Sequence, residues 1–351
     1  AVREEQHAME TVKRAHARHL VRWAKDRPDV VVLSADLTSS CEADDFREAY
    51  PDRFFSLGMA EQNMMGFAAG LAREGLFPYV HTFAVFICRR PLDQVAMSIA
   101  YANLPVRLMG FLPGVTTPGG ATHQAIDDVG LMRIIPNMTV LECGDATDVE
   151  SVLDVAQAVD GPVYVRMLRG EIPRLFDPAE PFEFGKARTL SAGEDITVLS
   201  SGICTEEVMR VSGALASQGV SLRHLHVSTL KPFDDPTVKE ALEVARHGVI
   251  TIENHTVIGG LGSAVAEVMA ELGLPKKLIR LGLQDQYAHG ASRPYLLRKY
   301  GLDAEALVGA VERLVGNSLG MDRVQYATAA TAAPSAPKAA AIERPAKAED
   351  L

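Results

Sequence analysis

The feature that most narrows the possible folds is the unbroken run Val30-Val31-Val32-Leu33. β-Branched residues without alternation read as a strand buried on both faces, as in a parallel sheet covered by helices. The run ends in a polar loop, Ser34-Ala35-Asp36-Leu37-Thr38-Ser39-Ser40, and strand ends of that kind carry ligands in open α/β sheets. The theme repeats along the chain. A strand is expected to begin at 77 and to run into a loop with two aromatics by 86, and further strands are expected at 104–111, 138–142 and 161–166, with helices at 4–25, 41–50 (capped near Ser40), 60–71, 90–103, 127–133 and 145–159. After a Pro-rich linker over 171–194 the alternation restarts. Strands are expected at 196–200, 222–227, 248–253 and 278–283. Helices are expected at 205–218 (capped at Thr205), 235–245, 262–272 and 304–315. The fold class is therefore α/β, with two doubly wound, mostly parallel sheet domains over 1–170 and 195–316. An Ala-, Pro- and Lys-rich tail follows over 317–351, and 327–351 are expected to be disordered unless a partner holds them.

Composition excludes several function classes. The net charge is −10 and no long basic block occurs, which argues against nucleic acid. No apolar stretch reaches membrane-span length, and the charged, amphipathic start is not a secretory signal. Cys41, Cys88, Cys143 and Cys204 are scattered without metal-like spacing, as expected of reduced thiols in a cytoplasmic protein.

The candidate chemistry gathers in one part of the chain. In Ser56-Leu57-Gly58-Met59-Ala60-Glu61-Gln62-Asn63, Gly58 reads as a turn, and the helix that follows is apolar on most faces and so is expected to be buried. Glu61 then lies in the first turn of a buried helix. Taken alone it is a carboxylate favouring the positive end of the helix dipole. Held away from water, it is also a group that can share a proton with a ligand. Phe83 and Phe86 follow a strand, three residues apart, in a segment expected to be a loop; core packing is the commoner fate of such residues. A Gly-rich loop over 114–120 leads to Thr122-His123-Gln124, and Arg169 stands at the polar tip after the sixth strand.

In order and spacing, Gly-Met-Ala-Glu-Gln-Asn, Thr82-Phe83-x-x-Phe86, Thr122-His123-Gln124 and Ile135-Pro136-Asn137 resemble the pyrimidine-binding domain of the transketolase family of thiamine diphosphate enzymes. In the second domain, Glu253-Asn254-His255 through Gly262-Ser263 is the best match. The resemblance covers residues 1 to about 315, the carboxyl-terminal half of a transketolase, and implies the following roles. Glu61 is the carboxyl group that hydrogen-bonds the aminopyrimidine ring and activates the cofactor. Phe83 and Phe86 pack against that ring. His123 contacts substrate oxygens, and Arg169 and Ser40 bind a substrate anion, for which a planar guanidinium is suited. A further anion-binding cation falls at Lys13 or Arg14. The second domain serves packing and dimerisation more than chemistry. Its Gly-rich turn is a plain tight turn before it is an anion site.

Three positions depart from the family pattern: Arg89 replaces a third aromatic, Gly119 an aspartate, and Phe111 a histidine. The last two changes remove polar partners for sugar hydroxyls, so the donor is left open. The Gly-Asp-Gly motif that holds the metal and diphosphate is missing, and Cys143-Gly144-Asp145-Ala146 is the nearest string. The resemblance thus implies a subunit of a split transketolase, transferring a two-carbon ketol unit from a ketose to an aldehyde. Thiamine diphosphate and Mg²⁺ would be held mainly by an amino-terminal partner subunit in an α2β2 heterotetramer. The alternatives are the beta subunit of a 2-oxo-acid dehydrogenase and a non-catalytic scaffold.

Overall fold

The computed structural model describes residues 10–321. The expected disordered stretch 327–351 and the first residues of the expected helix 4–25 lie outside these. The rest of that helix is divided. Thr11–Lys13 is a strand (β1), and the helix proper, α1, is Ala15–Trp23. Between them Arg14 is left-handed, φ 50°, with its N–H on the carbonyl of Gly170 and its guanidinium on Asp44 and Asp45. These long-range bonds override a helical periodicity that is continuous in the sequence.

The first domain continues through β2 (Val30–Ser34), α2 (Asp44–Ala49), β3 (Phe54–Ser56), α3 (Glu61–Arg73), β4 (Phe77–Phe83), α4 (Ala84–Arg89), α5 (Leu92–Gln94), β5 (Arg107–Phe111), α6 (Asp128–Arg133), β6 (Thr139–Glu142), α7 (Ala146–Ala158) and β7 (Val163–Met167). Strands β2, β5 and β7 are buried at every residue; β2 is an unbroken apolar run, while β5 and β7 each bury an arginine, Arg107 and Arg166. Helix α2 starts at Asp44 with Ala43 as its cap. Ser40 lies instead in a 3₁₀ turn, Ser39–Cys41, so the expected cap at Ser40 is not made. Helix α3 is buried only along Glu61, Met64, Met65, Ala68, Ala69 and Ala72, while Gln62, Asn63, Gly66, Phe67 and Gly70 face outward. It is therefore not covered on most faces within this chain.

The linker is partly structured: β8 (Glu171–Pro173) pairs with β1, and β9 (Arg188–Ala192) forms an antiparallel edge of the second sheet. The second domain follows as β10 (Ile196–Ser200), α8 (Cys204–Ser217), β11 (Leu222–His226), β12 (Thr229–Lys231), α9 (Pro236–Val244), β13 (Gly248–Thr256), α10 (Leu261–Glu271), β14 (Leu278–Leu283), α11 (Arg293–Lys299) and α12 (Ala304–Val315). Asp235 caps α9 by accepting from the N–H of Thr237. Thr205 does not cap α8; its buried hydroxyl bonds Ser200 and His226.

The large sheet runs β12-β6-β7-β5-β4-β2-β3 and the smaller one β14-β13-β10-β11-β9. Both are parallel except for the edge strands β12 and β9. The mostly parallel α/β architecture is thus present, with one addition. Strand β12 leaves the second domain and joins the sheet of the first, interlocking the two. Buried bonds reinforce the joint: Arg166 is paired with Asp128 and Glu142 and also donates to the carbonyl of Asn254. His226 pairs with Asp148 at 3.0 Å. The Thr205–His226–Asp148 string looks like a nucleophilic triad, but all three residues are buried and it ties the domains together. No helix of the described residues is long and apolar enough to cross a membrane.

Candidate active site

Strands β2, β4, β5 and β7 end on the same edge of the sheet, and the candidate residues fall on the loops that leave it. Phe83, Phe111 and Met167 are register partners across β4, β5 and β7. Two strand spacings, ~10 Å, therefore separate the tip of β4 from the tip of β7.

Glu61 opens α3 after the left-handed turn at Gly58, and it is 4 % exposed. The cap residue Ala60 makes no side-chain bond, so the carboxylate lies near unsatisfied N–H groups at the positive end of the helix. Its surroundings include a cation as well as apolar groups. Arg90 Nη1 donates to Glu61 Oε1 at 2.6 Å, and the same guanidinium lies 3.9 Å from the centroid of the Phe86 ring.

The segment expected to be a loop after β4 is helix α4. Phe83 at its cap and Phe86 in its first turn come onto one side, as i,i+3 neighbours do. Their rings stack at 5.7 Å and 25°. His123 meets both edge-on, at 5.6 Å from Phe86 and 6.2 Å from Phe83, and its Nδ1 is 2.9 Å from Thr122 Oγ1. Glu61, Arg90, Phe86, Phe83 and His123 form one continuous group. Arg89 turns away into a two-pronged pair with Asp127.

A second group forms at the tip of β7. Arg169 Nη1 donates to the carbonyl of Ser40 at 2.7 Å, so the two expected anion residues are adjacent, joined through the main chain of Ser40. Beneath them Glu42, buried and left-handed, accepts from the N–H of Gly170 at 2.6 Å. Burial raises the pKa of Glu42, against the opposing pull of its bonds to Gly170 and Ala17. Strand β1 brings Lys13 and Arg14 to the same tip. Both already have carboxylate partners, Lys13 with Glu171 and Arg14 with Asp44 and Asp45.

Both departures in the β5 region have a structural counterpart. Phe111 is fully buried and stacks on His81. A Cβ on Gly119 would lie 2.9 Å from His123 Cβ, so the glycine makes room for the histidine. Two further strings prove structural. Glu253 accepts from the N–H groups of Leu261 and Gly262, filling the glycine turn ahead of α10 with the protein's own carboxylate. Asp145 caps α7 and accepts from Leu175 and Phe176; burial, then Asp148, raises its pKa to about 6. No cluster of metal-binding side chains occurs among the described residues.

Two contributors escaped the sequence. The first is Arg90, visible only as the second residue of Arg89-Arg90, with nothing in the spacing to say which one turns inward. The second is the segment 284–292 of the second domain. There the His289 carbonyl accepts from Gln124 Nε2, and Gly290 approaches Gly120 closely enough that a Cβ on Gly120 would lie 3.3 Å from its nitrogen. The second domain therefore packs against and supports the loop that carries His123.

Residues 9–174 match the transketolase pyrimidine-binding domain family, and residues 185–307 match the transketolase C-terminal domain family. The 6-deoxy-6-sulfo-D-fructose transketolase subunit SqwH of a Clostridium species is 40 % identical over 297 residues, 84 % of this chain and 91 % of that protein. A transketolase C-terminal section from Methanocaldococcus jannaschii is 36 % identical over 299 residues, 84 % of this chain and 93 % of the relative. Among solved structures, a split-gene transketolase described as an inactive beta4 tetramer superposes with a TM-score of 0.79 at 39 % identity, covering 86 % of this chain and 97 % of that one.

Proposed function

The chain belongs to the transketolase family and carries its carboxyl-terminal half, and we propose that it is one subunit of a split enzyme that transfers a two-carbon ketol unit from a ketose to an aldehyde. The observation that carries this reading is the arrangement of Glu61 beside the stacked pair Phe83 and Phe86. A buried carboxyl group and a flat aromatic face suit a planar heterocycle that hydrogen-bonds through its ring edge. Thiamine diphosphate would supply the nucleophilic carbon that carries the two-carbon unit. Glu61 would share a proton with its pyrimidine ring, and Phe86 and Phe83 would orient that ring. Arg90 now makes the bond to Glu61 and covers the Phe86 face, so it would swing aside toward solvent, to which its side chain is 48 % exposed. His123 would address substrate oxygens, and Arg169 the substrate anion.

The chain has no Gly-Asp-Gly motif, and Asp145 is consumed as a helix cap. Mg²⁺ and the diphosphate would therefore belong to a partner carrying the amino-terminal half, in an α2β2 assembly with sites across a twofold axis. The relative SqwH is named for a sulfonated ketose, which makes an anionic sugar the first donor to try. The test is ketose-dependent turnover after mixing the chain with a protein that carries the missing motif, over ketoses with phosphate, sulfonate and neutral ends. Turnover only in the mixture is expected. Activity on 2-oxo acids and none on ketoses would favour the dehydrogenase alternative, and inactivity throughout would favour the scaffold.

A further inference from the structure

Between the two domains lies a cleft of about 340 Å³, a volume in the range that small ligands occupy. One wall is the edge of the first sheet, with Leu112 after β5 and Arg169 after β7. The opposite wall belongs to the second domain, with Ile203 and Glu206 near the start of α8 and Arg293 at the start of α11.

The charges of the cleft are unevenly answered. Glu171 is paired with Lys13 at 2.7 Å, and Glu206 with Arg210 at 3.0 Å. Arg169 donates only to a neutral carbonyl, that of Ser40. Among the described residues no carboxylate is ion-paired with Arg169 or with Arg293. Two acidic groups thus bring their own cations, while Arg169, whose charge also acts on the buried Glu42 beneath it, and Arg293 stand on opposite walls with no ion-pair partner of their own. A walled cleft concentrates the field of such charges, and planar N–H forks match a tetrahedral oxyanion.

We propose that Arg293 is a second cation of the anion site, reaching from the second domain to bind, together with Arg169, the terminal tetrahedral oxyanion of the sugar substrate, a phosphate or a sulfonate. That the anion belongs to a sugar rests on the transketolase reading; that the cleft binds an oxyanion does not. The second domain then takes part in substrate selection, and an anion bridging Arg169 and Arg293 would hold the two domains together at this edge.

The deciding experiment titrates inorganic phosphate and methanesulfonate into the full chain, followed calorimetrically, for the native protein, Arg293→Lys, Arg293→Ala and Arg293→Glu. Arg293 is exposed, so the variants should fold, and their melting curves check this. A charge-assisted bond of ordinary strength corresponds to a roughly tenfold loss of affinity in Arg293→Ala. A smaller loss is expected in the Lys variant and a larger one in the Glu variant, and Arg169→Ala should lose as much as Arg293→Ala. Native-like binding in all three Arg293 variants, or no binding of either anion by the native chain, would overturn the proposal. In the assembled enzyme, Arg293→Ala should raise KM more for a substrate with a terminal oxyanion than for its neutral analogue; equal changes would also overturn it. If the assembly turns over no ketose, the functional reading fails, while the titration still decides the role of Arg293.

Discussion

Arg90 makes, from within the protein, the two contacts that a bound aminopyrimidine ring would need: a hydrogen bond to the Glu61 carboxylate and a face laid on Phe86. Removing it should have opposite effects in two assays. Arg90→Ala leaves a nearly buried carboxylate without its cation, which should lower the melting temperature of the free chain. In the assembled enzyme the same change should tighten thiamine diphosphate binding, since the ring no longer displaces a guanidinium. Weaker cofactor binding in the variant would show that Arg90 supports the ring and does not compete with it. Glu61 itself should be indispensable. Glu61→Gln keeps the size and loses the acid, and turnover should fall by a factor of about 10² or more with the circular dichroism spectrum unchanged. Near-native turnover would remove Glu61 from the chemistry.

Among the elements, the loop carrying His123 is held by contacts that leave no spare room. Gly119→Ala places a Cβ 2.9 Å from His123 Cβ. It should push the histidine off Phe86 and reduce kcat/KM roughly tenfold, an effect of one misplaced contact, with little change in melting temperature. An unaffected kcat/KM would mean that His123 is not positioned by this loop. Strand β4 and helix α1 are joined by a buried histidine pair, His16 Nε2 to His81 Nε2 at 2.9 Å. His81 Nδ1 lies 3.0 Å from the Tyr79 carbonyl, which can only accept. His81 therefore donates from Nδ1 and accepts at Nε2, and His16 donates from Nε2. Both rings are neutral when folded: burial lowers the pKa of His16 well below its ordinary value and that of His81 to about 4. Unfolded histidine takes up a proton near pH 6.5. The stability lent by the neutral pair is thus complete above about that pH and is lost as pH falls toward 4. Unfolding between pH 7.5 and 5 should show a steeper loss in the native chain than in the double variant His16→Phe/His81→Phe; identical slopes would refute this. Sequence legibility follows the same physics. The buried strands were readable because both faces of β2 are apolar, and α12 because its amphipathic period begins at Asp303 and stops at Gly316. The start of α1 was not, because Arg14 is held by groups at 44, 45 and 170. The helical start after Phe83 was hidden by aromatic residues that suit a loop equally well. Glu61, Phe83, Phe86 and His123 could be named from a family pattern, whereas Arg90 and the support from residue 289 depend on contacts no local pattern records.

At the scale of the whole molecule, the first domain leaves several large apolar side chains uncovered within this chain. Met59 and Tyr101 are 79 % exposed and Ile134 76 %, with Phe67 and Met97 also outward. Exposed apolar groups in this number mark an interaction surface, as a chain carrying half of an active site would need. A cofactor held between two chains should bind only when both are present, because the diphosphate and its metal supply much of the charge-based affinity and no metal-binding cluster for them occurs among the described residues. The central claim is therefore tested most directly by calorimetric titration of thiamine diphosphate with Mg²⁺ into the purified chain, alone and after addition of a partner bearing the Gly-Asp-Gly motif. The account predicts weak or undetectable binding to the chain alone and tight, metal-dependent binding to the mixture. Tight, metal-dependent binding to this chain by itself would contradict it.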